Sequence, residues 1–156
     1  MTKFISMQSA WIMFLVFVLF FVLGELLPFG SALTMAPFFV WIYSIGIESN
    51  RLLPVTMKMP LVKFKILLAY ATGYAVVVAC YPLQAKMPYA LPFHFIDMFC
   101  LFYLIYFVAK SIRSIELNRP AILSDWVLIF FGLLFYPIGV WFIQPKIQRI
   151  VQTVNS

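Results

Sequence analysis

Three ionisable side chains fall inside or at the edge of long apolar runs: Glu25, His94 and Asp97. A charge in such a run costs free energy unless something pairs with it, so each calls for a functional account. His94 and Asp97 are three residues apart, which puts them on one face of a helix. An imidazole beside a carboxylate can hold a proton or contribute to a metal site. Glu25 joins them if its helix ends at the same membrane face. The competing account is structural. Glu25 and His94 lie close enough to a helix end to reach water, and Asp97 in a first turn gains from the helix dipole. One histidine with two acids is too few ligands for a metal centre, so no metal is expected.

Other chemistry finds no residues to carry it. The sequence has no Ser/His/Asp set, no Gly-rich phosphate loop and no H-E-x-x-H. Cys80 and Cys100 sit in apolar runs without C-x-x-C spacing and read as small apolar side chains. Phe95, Phe99, Phe102, Tyr103, Tyr106 and Phe107 crowd one segment. Lipid-facing and helix-packing aromatics account for them better than a cofactor pocket does. The expectation is a protein that is not an enzyme and takes no cofactor.

The elements that hold these residues follow from composition. Hydrophobic residues make up 65% of 156 residues and charged residues only 10%, with a mean hydropathy of +1.03. A soluble domain is about half apolar and about a quarter charged. That excess has no place in a water-solvated globule of this size, whereas a bilayer removes the difficulty. The fold class expected is all-α, a polytopic membrane bundle of four to five transmembrane helices forming a single domain over 1–156. The expected spans are about 10–27, 32–47, 66–83, 93–110 and 122–143, and 146–154 reads as a short amphipathic helix at the interface. The polar stretch 48–65, broken by Pro54 and Pro60, reads as the longest connection. Ala71, Ala75 and Ala79 recur every four residues, a face suited to close helix packing.

Charge sets the topology. The net charge of +6 comes from 11 Lys and Arg against 5 Asp and Glu. Arg51, Lys58, Lys63 and Lys65 lie in one connection, and Lys110, Arg113 and Arg119 in another. The positive-inside rule places both on the cytoplasmic side, together with the N-terminus and Lys3. Anionic headgroups or an acidic partner would meet these seven residues, and no nucleic acid is expected. The segment 122–143 conflicts with this scheme. As a full crossing it carries Lys146 and Arg149 outside, whereas a hairpin broken at Tyr136-Pro137-Ile138-Gly139 keeps them inside. Its apolar length favours a kinked fifth crossing.

The second half carries a resemblance. Phe99-Cys100, Phe102-Tyr103, Tyr106-Phe107, Ala109-Lys110-Ser111, Ile115-Glu116-Leu117, Ser124-Asp125 and above all Pro137-Ile138-Gly139-x-Trp141-Phe142-Ile143-Gln144-Pro145-Lys146-Ile147 resemble an uncharacterised family of small bacterial multi-pass membrane proteins. Trp41-x-x-Ser44-Ile45-Gly46 and Leu53-Pro54 extend the match into the first half. The resemblance implies the bacterial inner membrane and carries over no site residues. Together these features lead us to expect a non-catalytic subunit, anchor or regulator of a larger membrane complex, with the bilayer and other membrane subunits as partners. The alternative is an oligomeric transporter or channel with a polar site near Glu25, His94 and Asp97.

Overall fold

The computed structural model describes residues 8–27, 30–80 and 87–155. Among the described residues there are six α-helices, one 3₁₀ turn and no strand. The all-α expectation therefore holds. Two of the helices are long and apolar enough to cross a membrane, and two further helices are apolar but shorter. Lys3 and Lys86, which enter the charge count, lie outside the described residues.

Local chemistry accounts for most helix ends. Helix α1 (Ala10–Leu26) starts at Ser9, whose side chain accepts the Ile12 N–H at 3.3 Å. Helix α2 (Gly30–Leu52) tolerates Pro37 and ends before Leu53-Pro54, because the residue ahead of a proline avoids the helical region. A 3₁₀ turn (Val55–Met57) leads to α3 (Leu61–Cys80), which begins directly after Pro60. Helix α4 (Met87–Leu117) is the longest and stops at Asn118, whose φ of 49° is the left-handed value common after a helix end. Helices α5 (Leu123–Leu134) and α6 (Tyr136–Asn155) are separated by Phe135 alone.

The core is built on α2 and α4. They contribute Trp41, Ile42, Ile45, Leu104, Ile105, Phe107, Val108 and Ile112, all almost fully buried. Helix α3 adds Phe64, stacked on Phe107 with ring centroids 4.5 Å apart, and Ala71. The small-residue face of α3 is only partly used: Ala71 is buried, Ala75 and Ala79 are half-buried.

Three sequence expectations need correction. The segment 122–143 is not one continuous helix, because Pro137 lacks an N–H and displaces the carbonyl one turn back. The chain folds back on itself there. A Cβ on Gly139 would overlap the Gly132 carbonyl, and one on Gly132 would lie 3.1 Å from Ile143. At the far end of the pair, Lys146 Nζ sits 3.4 Å from Glu116, while the Ala121 N–H donates to Ser114 Oγ at 3.0 Å. Both arms of this α5–α6 hairpin thus end beside the last turns of α4. The 146–154 tail, expected at the interface, is the second half of α6. Its Ile147 and Val151 are buried, in a seam with Ile45, Ser49 and Ile112. The 48–65 connection shrinks to 53–60, since 48–52 completes α2 and 61–65 opens α3. Glu48, Ser49 and Asn50 are buried there, and Asn50 Oδ1 accepts the Met59 N–H at 2.9 Å, which ties down the connection.

Candidate functional site

Helices α3 and α4 run side by side and bring four polar side chains together. On α3, Tyr70 and Tyr74 are one turn apart, with parallel rings 6.2 Å between centroids. On α4, His94 and Asp97 share a face as the spacing requires. The His94 ring meets Tyr74 edge-on at 5.3 Å. Asp97 Oδ1, Tyr70 Oη and Tyr74 Oη are shielded from solvent and have no hydrogen-bond partner among the described residues. A cavity of about 240 Å³ lies against Met35, Tyr74, Ala75, Val78, His94 and Asp97. An unpaired buried carboxylate oxygen is costly, and its usual remedy is a cation or a donor.

The three ionisable residues singled out from sequence do not all meet. His94 and Asp97 line one cavity. Glu25 is exposed in the last turn of α1 and is not part of that lining. Among the described residues, no group of three His, Cys, Asp or Glu side chains could hold a metal ion. Cys100, one turn beyond Asp97, is a free buried thiol, and Cys80 is free and exposed. Tyr70 and Tyr74 were not singled out in the sequence. Their i, i+4 spacing on an apolar helix was the available signal.

A second, larger cavity of about 320 Å³ lies above the hairpin tip. Phe17, Phe38, Met98, Ile105, Leu134 and Tyr136 form most of its apolar wall. Tyr136, at the tip, packs its ring on Phe17, Phe38 and Trp41 at 5.4, 5.4 and 5.0 Å. Its hydroxyl is buried without a hydrogen-bond partner among the described residues.

Polar groups nearer the basic end hold the helices together. Trp41 Nε1 donates to Gln144 Oε1 at 2.9 Å, and Gln144 Nε2 donates to the Gln8 carbonyl at 2.7 Å. Gln148 donates to that same carbonyl at 2.8 Å. One side chain of α6 therefore joins α2 to the start of α1. Trp141 adds an edge-on contact with Trp11 at 4.4 Å.

The basic residues divide into two groups. Arg51 pairs with the buried Glu48, Arg113 with Glu116 at 2.7 Å and Arg119 with Asp125 at 2.9 Å. Lys110 donates to Tyr106 Oη at 2.9 Å. The Ile122 N–H donates to Asp125 at 3.0 Å, and with Arg119 beside it this holds the Asp125 carboxyl below the usual carboxylate range. Lys58, Lys63 and Lys65 are exposed around the start of α3. They are the basic side chains best placed to reach headgroups or an acidic partner.

The motif that carried the family resemblance falls mainly on the hairpin. Pro137 and Gly139 make its turn, Ile143 packs on Gly132, and Gln144 pins the returning arm. Comparison with family models, with curated proteins and with solved structures gives no match for this chain.

Proposed function

We propose that the chain is a non-catalytic subunit, anchor or regulator of a larger assembly in the bacterial inner membrane. In this reading α1 to α4 cross the bilayer and the α5–α6 hairpin enters and leaves on the cytoplasmic side. The N-terminus and the 53–60 connection lie on that same side. Charge supports the orientation, because Lys58, Lys63, Lys65, Arg113, Arg119 and Lys146 then share one face of the membrane.

One observation carries the functional part. Interior polar side chains are spent on holding the fold: Trp41 and Gln144 join two helices, while Asn50 and Ser114 tie down the connections at Met59 and Ala121. Bulky apolar side chains meanwhile point outward all around, with Phe99, Leu128 and Phe142 among the most exposed. A rigid body with an apolar exterior can dock laterally against other membrane helices or face lipid. Recovery of the tagged chain from native membranes in mild detergent tests this. A defined, stoichiometric set of membrane proteins is expected, and a chain that always runs alone overturns the proposal.

A second reading has its own observation. The cavity at His94 and Asp97 holds a carboxylate oxygen that is unpaired among the described residues, inside an apolar region, which favours an oligomeric transporter or channel. It requires Asp97→Asn and His94→Ala to abolish proton or ion flux in proteoliposomes; unchanged flux removes it.

A further inference from the structure

The two cavities are neighbours. Met35 lines both, and the adjacent residues Asp97 and Met98 line one each. One has Tyr74, His94 and Asp97 in its wall beside Met35, Ala75 and Val78, and the other has an almost wholly apolar wall. Together they have the form of a site for a ligand with a small head and an apolar tail. We propose that the α3–α4 cavity and the chamber above the hairpin tip bind one amphipathic ligand, with a primary ammonium head at Asp97 and its chain against Phe38, Ile105 and Leu134.

The head follows from charge. Among the described residues no group satisfies the Asp97 oxygen, and the same holds for the Tyr70 and Tyr74 hydroxyls. An ammonium group supplies both the counter-charge and the donors. The neighbouring tyrosine rings favour a cation through their quadrupoles. An anionic head fits poorly. It would face the Asp97 carboxylate itself, and the nearest lysines along the two helices are Lys65, nine residues or about 14 Å from Tyr74, and Lys110, thirteen residues or about 20 Å from Asp97. A neutral alcohol could hydrogen-bond but would bring no positive charge to Asp97, whose ionisable neighbour in the cavity wall is His94. The tail follows from shape, since a chamber walled by aromatic and aliphatic side chains rewards apolar burial and excludes water. The ammonium could be that of a free long-chain amine or of an ethanolamine lipid. The inference does not depend on which assembly the chain joins.

Photolabelling of the purified full chain in non-ionic detergent tests it, with hexadecylamine carrying a diazirine in its chain as the probe. Adducts are expected on Met35, Met98 and the residues of the hairpin tip. Excess hexadecylamine should suppress them, while hexadecanol and hexadecyl sulfate should not. Competition by phosphatidylethanolamine but not phosphatidylcholine would assign the head to a lipid, and competition by the free amine alone would assign it to an amine. Asp97→Asn should lower labelling about tenfold, the equivalent of roughly 1.4 kcal/mol. Equal competition by amine, alcohol and sulfate would overturn the proposal. So would adducts spread over the outward faces of α1 and α5, or wild-type labelling of folded Asp97→Asn. If that variant does not fold, competition on the wild-type chain still decides.

Discussion

Gln144 does two jobs with one amide: it accepts from Trp41 and donates to the Gln8 carbonyl. Removing it takes the acceptor from the buried Trp41 N–H, while the Gln8 carbonyl keeps the Gln148 amide, and in apolar surroundings the indole finds no water to replace the lost partner. Gln144→Leu should therefore lower stability in detergent by about 1–2 kcal/mol, read from the thermal or denaturant midpoint. Tyr136 makes the opposite case. Its hydroxyl is buried and unpaired among the described residues, so Tyr136→Phe should leave stability unchanged or raise it, whereas a clear loss would mean that the hydroxyl has a partner. The polar residues were unevenly legible in the sequence. His94 and Asp97 stood out because charges in apolar runs are rare. Gln144 did not, because a single amide near a helix end carries no periodic signal. Glu48 was assigned to a connection because Ser49, Asn50 and Arg51 surround it, yet it closes α2 with Arg51 on the next turn.

The hairpin depends on close approach at one point. Gly132 and Gly139 leave no room for a side chain between their backbones. Gly139→Ala must push the arms apart and should cost about 1–3 kcal/mol by the same unfolding measurement. Gly73 on α3 is the control, since a Cβ there meets nothing within 4 Å. Gly73→Ala should be neutral or gain roughly 0.5–1 kcal/mol from helix propensity. If the two variants behave alike, the α5–α6 contact is not what holds the turn. The breaks at Pro137 and Gly139 were visible in the sequence. The direction of the chain after them was not, because it rests on a contact between two glycines that hydropathy does not report. Apolar length favoured a crossing. The small-residue face of α3 is used only in part, since α3 lies at the side of the core that α2 and α4 build. Spacing of small residues marks where helices can approach, not which helix is central.

At the scale of the whole molecule, composition was sufficient for the all-α class and for an apolar exterior. It could not count the crossings. Two helices satisfy a strict length and hydropathy criterion, and the four-crossing arrangement is our proposal from charge and from the hairpin. That arrangement makes one topological claim above all: the C-terminal half of α6 lies on the same side as the turn after α2. The seam shared by Leu52, Ser49, Ile150 and Val151 brings those two ends together. Single cysteines test the claim directly in a Cys80→Ala, Cys100→Ala background. Thr56→Cys and Gln152→Cys both replace exposed residues, and each is probed in sealed, oriented vesicles with a membrane-impermeant maleimide. Both should be labelled from the cytoplasmic side only. Labelling of the two positions from opposite sides would mean a fifth crossing and would contradict the hairpin.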